Sequence, residues 1–402
     1  MTNSRPQRHA TLLFMLLLGA MSSFPPVTTD IYLPALPELT RSLHGSTAQG
    51  QATLAFYFLG LGTGQVVYGA WADRAGRRLP MLVGVALYLV ATLGCAVATS
   101  IQAMFGLRLL QALGACSGVV ISAAVARDRY DHQESARVLS TLLTLRGLGP
   151  ILAPIAGGAI VTFWGWRAIF WALTGFGVVL GLTILLTLPE TRPEAVAERA
   201  RTESPFRAYA EVLRNPRILG YLATNGLNFG CMFAWIAAAP YLIIGAYRVP
   251  ALYFGWIFAL NAAGFMLASQ LNRRLLKRIP SDVLMTRGAV GAAVVGAILL
   301  ADALTGFGGA FGVMIPLLFV VASLGLVSTN AMAGGLAVDP SRAGAVSALF
   351  GTSQFGLAGV ATVAGSLVTH DPAKAMAVVI FVSAIGAAAY PVLGVRRRLA
   401  AA

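Results

Sequence analysis

The chain has 402 residues, 57% of them hydrophobic and 11% charged, less than half of the roughly 25% charged residues of a soluble domain, which excludes an ordinary water-soluble protein. Its net charge of +14 would suit nucleic acid, but the Lys and Arg are dispersed between apolar runs, with no aromatic-rich basic module, and that class is excluded too. At about 20 apolar residues per spanning helix, twelve segments are predicted. They begin near Thr11, Gln49, Leu79, Ile101, Val138, Ala168, Ile218, Leu252, Val283, Phe311, Ala343 and Ala373. The fold class is therefore an all-α integral membrane protein.

Arg5 and Arg8 ahead of the Leu-rich run from Leu12 look like a signal peptide. The apolar character continues through Pro25 and Pro26 to Tyr32 without a small-x-small cleavage site, so this is read as an uncleaved first spanning helix. Asp30 lies late in it, just before YLPALP. Between the second and third segments, GAWADRAGRR (Gly69 to Arg78) packs four ionisable side chains and two glycines into one connector. Gly69 and Gly76 allow helix ends to approach or turn, Asp73 suits helix-end amides or a basic neighbour, and Arg74, Arg77 and Arg78 suit anionic headgroups.

Arg108 lies in the fourth segment and Arg146 in the fifth. An ionisable residue in hydrocarbon costs from about 2.5 kcal/mol upward, so each one needs a local reason. Asp30 and Arg108 come out at comparable depth, each about 10 Å below the outer surface at 1.5 Å per residue. Arg146 falls near the midplane, roughly 14 Å in. Asp30 is expected to bind a proton, with an affinity set by the direction the cavity faces and by a cationic substrate; a static Asp30 to Arg108 pair holding helices together is the alternative. Arg146 fits two roles equally, recognition of anionic or carbonyl-bearing ligands and hydrogen bonding to helix carbonyls. In RLLQALGA, Arg108 and Gln111 share a helix face and Gly114 permits close packing. GPILAPIAGG places Gly149, Pro150, Pro154, Gly157 and Gly158 in the fifth segment, where kinks and flat faces let helices slide closely.

The longest polar stretch, Glu190 to Arg217, follows the sixth segment and reads as a linker between two six-helix bundles, 1–189 and 218–402. Its middle is expected to form short amphipathic helices, with Phe206, Tyr209 and Leu213 at helical spacing. About 200 residues after the charged connector, SQLNRRLLKR (Ser269 to Arg278) is a decayed copy of it, with Asn272 where Asp73 stands and Leu275 in place of the second glycine. A repeat of two halves is the arrangement of alternating-access transporters, whose substrate site lies near the midplane.

Of the 29 Lys and Arg, only Arg41, Arg167, Arg248 and Lys374 fall in the loops of one side, and Arg108 and Arg146 inside segments; the rest face the other side. That bias orients both termini to the cytoplasm. Cys95, Cys116 and Cys231 all lie in apolar segments and read as small buried hydrophobes. His9, His44, His132 and His370 are scattered, so no metal site is expected.

The connector Gly69 to Arg78 resembles the Gly-x-x-x-Asp-Arg-x-Gly-Arg-Arg loop of the major facilitator superfamily. RLLQALGA, the Gly/Pro run and LPET at Leu188 to Thr191 extend the resemblance over nearly the whole chain. The Gly/Pro run is similar to the antiporter motif of twelve-helix drug:proton antiporters, with Ala153 in place of its second glycine. DIYLPALP (Asp30 to Pro37), WGWRAIFW, AAAPYLI and STNAM are similar to the bicyclomycin and chloramphenicol resistance (Bcr/CflA) family. The resemblance implies proton-driven export of amphipathic drugs across a bacterial inner membrane. It assigns Asp30 and Arg108 to coupling, the Gly69, Asp73, Arg74, Gly76, Arg77 and Arg78 loop to a cytoplasmic gate, and Gly149 to Gly158 to exchange.

Tyr32, Tyr57, Gln65, Gln111, Arg146, Asn225, Asn228, Trp235, Tyr241, Asn261, Asn330 and Gln354 are expected to line a mixed cavity, a few polar groups on an apolar wall. No phosphate-binding loop is present, so a proton gradient rather than ATP or a cofactor is expected to drive transport. The expected partners are small molecules, protons and lipid, with the protein a monomer and not an enzyme. An exporter of an endogenous metabolite, such as an amino acid or small peptide, is the alternative.

Overall fold

The computed structural model describes residues 12–202, 204–369 and 371–400; Arg5, Arg8, His9 and His370 lie outside them. The described residues form helices and connecting turns, with no strand. The first spanning segment is broken into α1 (Leu12–Ser22), α2 (Phe24–Asp30), a 3-10 turn Leu33–Ala35 and α3 (Leu36–Ser42). Pro25, Pro26 and Pro34, which lack a donor and fix φ, sit at the starts of these pieces, where a missing N–H costs least.

Next come α4 (Thr47–Ala75), α5 (Arg78–Val97), α6 (Ile101–Arg129), α7 (His132–Trp164) and α8 (Trp166–Thr187). The linker holds α9 (Glu194–Thr202) and α10 (Pro205–Leu213). Then follow α11 (Pro216–Pro240), extended by a π-helical turn Tyr241–Ala246, α12 (Ala251–Leu275), α13 (Ser281–Thr305), α14 (Gly309–Val338), α15 (Ala343–Val368) and α16 (Pro372–Ala400). Each predicted segment falls on a helix or, for the first, on the broken run. Among the described residues ten helices are long and apolar enough to cross a membrane. The other two predicted segments are the interrupted first run and α4, whose interior carries Gln51 and Gln65 and whose end carries Asp73 and Arg74. The fold is all-α, and the chain is a multi-pass membrane protein.

Local chemistry sets the boundaries. Ser46 and Gln49 form a reciprocal capping box at the start of α4, Ser100 caps α6, Asp131 caps α7 and Asn215 caps α11. Within the first six spanning segments α6 packs on α4 and α5, and α7 on α1 and α2; within the last six α14 packs on α11, α12 and α13, and α16 on α11 and α13. The two sets meet where α4 packs on α15 and α7 on α12. At the end remote from the linker, the Thr40 and Tyr241 hydroxyls bond at 2.8 Å and the Gln51 amide donates to the Ala237 carbonyl at 3.4 Å. Phe58 and Phe233 close the middle, their rings 4.2 Å apart. The outer faces carry exposed leucines, valines and phenylalanines such as Val90, Leu186, Leu267, Phe319 and Leu367, the reverse of a water-soluble surface. Cys95, Cys116 and Cys231 are buried free thiols, as expected.

Candidate functional site

Asp30 ends α2 and is 5% exposed, and no hydrogen bond or ion pair joins it to another described residue. Arg108, fully buried on α6, is clamped between the Tyr32 and Tyr57 rings, its guanidinium carbon 4.3 and 4.2 Å from their centroids. Its Nη1 donates to Gln111 Oε1 at 2.6 Å, the Gln111 amide donates to the Thr92 hydroxyl at 2.8 Å, and that hydroxyl donates to the Tyr88 carbonyl. Arg108 Nε and Nη2 meet no acceptor.

The similar depth of Asp30 and Arg108 therefore does not make them a pair. Asp30 and Tyr32 stand two residues apart on tightly wound backbone, which turns their side chains to different sides. Tyr32 takes the place beside Arg108 that a static ion pair would give to Asp30. The cation is held by ring faces instead, a contact that gains strength when desolvated. The tyrosines are themselves anchored: Tyr57 donates to the Pro25 carbonyl at 3.2 Å, and the Tyr32 and Thr53 hydroxyls bond at 2.8 Å.

The Gly/Pro run lies within the continuous helix α7, with Pro150 and Pro154 in its interior. Gly149 closes on Pro26, Gly157 on the Ile31 carbonyl, and Gly158 on Ala251 of α12. A side chain at Gly157 would collide with that carbonyl, so the glycine permits α2 and α7 to touch. Arg146, one turn before Gly149, is half-buried and bonds to no described residue, which removes its helix-carbonyl role.

The expected cavity residues divide by environment. Gln111 belongs to the Arg108 cluster, and Tyr241 to the contact with Thr40. Asn330 donates to Asn272 Oδ1 at 2.9 Å and to the Leu326 carbonyl at 2.7 Å, which makes it a tie between α14 and α12. Asn228 donates to Ser323 at 3.2 Å, and Asn261 to the Ile257 carbonyl at 3.3 Å. Asn225, with both amide atoms, and Trp235, with its Nε1, are buried without partners; Gln354 is half-buried, and Gln65 lies against Gly351 of α15.

The charged connector is a clasp. Arg77, with a side chain 4% exposed, donates from Nη1 to Asp73 at 2.6 Å and from Nε to Asp128 of α6 at 2.7 Å. Gly76 turns the chain with φ +94°, a conformation suited to glycine, and a side chain there would strike Glu190. Glu190 accepts the backbone N–H groups of Arg77, Arg78, Thr191 and Arg192. Partial burial pushes its pKa up, but these four donors outweigh that and hold it below the usual value. Arg78 donates to the Leu185 carbonyl at 2.7 Å, and Arg192 reaches back to the carbonyls of Asp73 and Arg74. Gly69 faces the Tyr209 hydroxyl of α10, which donates to the Val66 carbonyl at 3.4 Å. Asp128 and Glu190 were not anticipated as members. Their signals are present, a lone carboxylate within ARDRY and the acid of LPET, but the partners lie 51 and 113 residues away.

Comparison with known proteins agrees with this architecture. The sequence profile of the Major Facilitator Superfamily matches residues 11–362. A bicyclomycin resistance protein homolog of Haemophilus influenzae is 31% identical over 362 residues, 90% of each chain. A chloramphenicol resistance protein of Pseudomonas aeruginosa is 30% identical over 73% of this chain and 69% of its own. Among solved structures, an inward-facing, unoccupied bacterial homolog of the human lysosomal transporter Spinster superposes with a TM-score of 0.75 at 16% identity, covering 95% of this chain and 96% of its own. The chain belongs to the Major Facilitator Superfamily, a family of transporters rather than enzymes, and is similar within it to proteins named for bicyclomycin and chloramphenicol resistance.

Proposed function

We propose that the protein exports amphipathic drug-like molecules across a bacterial inner membrane in exchange for protons, by alternating access between bundles 1–189 and 218–402 joined by the linker 190–217. The observation that carries this reading is Asp30: an enclosed carboxylate with no counter-ion among the described residues, at the end of a proline-broken helix packed on α7. An unpaired buried carboxylate is costly to ionise, so it holds a proton until the cavity reopens to water. Arg108 keeps two unpartnered N–H groups, so a shift of α2 past α7 that brought Asp30 to it would favour proton release. The glycine contacts of α7 with α2 and α12 provide the close surfaces for such a shift. Gly149, Pro150, Pro154, Gly157 and Gly158 thereby serve exchange, and the clasp of Gly69, Asp73, Arg74, Gly76, Arg77 and Arg78 serves the cytoplasmic gate.

The names of the two resistance relatives support drug-like cargo. The placement of Lys and Arg supports cytoplasmic termini. The energy source is the proton gradient, no cofactor takes part, and the working unit is a monomer. The test uses everted membrane vesicles with an acid interior, to which amphipathic antibiotics are added. Proton release by the natural protein that is lost in Asp30→Asn is the expected result; equal release by both would remove Asp30 from the mechanism.

A further inference from the structure

Among the described residues, the middle of the spanning region holds two arginines and a single carboxylate, and the three are not paired with one another. A guanidinium stays protonated in a protein, so this imbalance is permanent. Arg108 is enclosed by tyrosine rings and is 0% exposed. Arg146 differs: it is half-buried, so part of its side chain looks onto space that protein atoms do not fill.

Its direction follows from α7. Arg146, Gly149, Ala153 and Gly157 recur at three- and four-residue spacing and share one face. Gly149 and Gly157 on that face meet Pro26 and Ile31, and Ala153 is 5% exposed, whereas Leu148 and Leu152 on the roughly opposite face are exposed. Arg146 therefore points inward, below the last contact of α7 with α2, and not toward lipid. The titratable group near it is the Cys116 thiol of α6, which donates to the Leu61 carbonyl at 3.4 Å and supplies no counter-charge. An inward, accessible arginine without a counter-ion among the described residues is a vacant fork of donors, and the group that matches its geometry is a carboxylate.

We propose that Arg146 is the recognition residue for the cargo, and that the cargo is an amphipathic anion whose carboxylate docks on that guanidinium. The assignment rests on the transport reading above and replaces the cationic substrate expected from the sequence, which would meet two like charges in the same half.

The test uses one amphipathic skeleton in three forms, carboxylate, carboxamide and amine, with protein reconstituted in phosphatidylcholine so that no anionic lipid competes. Binding to the purified protein is measured by calorimetry and transport by proton flux. The natural protein is expected to bind the carboxylate at least about tenfold more tightly than the carboxamide, the range of a charge-assisted hydrogen bond. Arg146→Gln should remove that preference while leaving carboxamide binding intact, and Arg146→Lys should restore part of it. Equal binding of the three forms, or a preference for the amine, overturns the inference even when drug export stands. Carboxylate binding that depends on Arg146 without any flux sustains the inference and sinks the export reading.

Discussion

Asp73 and Asn272 occupy corresponding places in the two halves, at the linker-side ends of α4 and α12, and their surroundings differ in kind. Asp73 joins Arg77, Asp128 and, through backbone contacts, Glu190 and Arg192 in a charged clasp that ties α4, α5, α6 and the end of α8. Asn272 is 2% exposed and accepts one neutral hydrogen bond from Asn330. The neighbouring Arg273 and Arg274 are exposed. The difference teaches that the repeat kept its geometry while the charge was confined to one half. A neutral amide pair holds two helices at fixed distance at little cost of desolvation. A charged cluster responds to solvent, so it is the half suited to open and close.

The largest effect should come from removing the cation. In Arg77→Ala, the nearly buried Asp128 carboxylate loses its partner, and a loss of about 3–5 kcal/mol is expected from breaking such a pair. Thermal unfolding in detergent would report it; a Tm within a degree of the natural protein would show the clasp to be ornamental. Asn272→Asp should come next, since it buries a carboxylate without a cation beside it. A penalty of a few kcal/mol is expected, and a variant as stable as the natural protein would mean that the two sites are interchangeable.

The reciprocal change, Asp73→Asn, makes the first half resemble the second. Asp73 is half-exposed and Arg77 keeps Asp128, so its stability cost should stay under about 1 kcal/mol. Its effect belongs in transport, as a lower kcat with binding affinity preserved. The smallest effect concerns Glu190, whose pKa is lowered in the folded protein. Its contribution is present above the unfolded value of 4.5 and is lost as pH falls below it through the folded value. Stability measured from pH 6 to pH 3 should fall less steeply for Glu190→Gln, and parallel curves would remove the carboxylate from the clasp.

Much of this was legible in the sequence because a bilayer imposes a long period. Apolar runs of about 20 residues gave the spanning helices, and observed starts fell within a few residues of those expected, as at Ile101 and Ala343. Arg108 with Gln111 was readable because a three-residue spacing fixes a shared face. What was not readable depends on distant partners. Depth arithmetic put Asp30 beside Arg108 but carries no rotation, and the rotation gave the place to Tyr32. Asn330 looks like any polar residue of a cavity until Asn272 is found opposite it.

The central claim is that Asp30 carries the proton that cargo displaces. It is tested most directly by adding cargo to purified protein in weakly buffered detergent solution and reading the proton released on binding, with no membrane and no gradient. The account predicts release by the natural protein and by Asp73→Asn, and none by Asp30→Asn at matched cargo occupancy. Release undiminished in Asp30→Asn would contradict it.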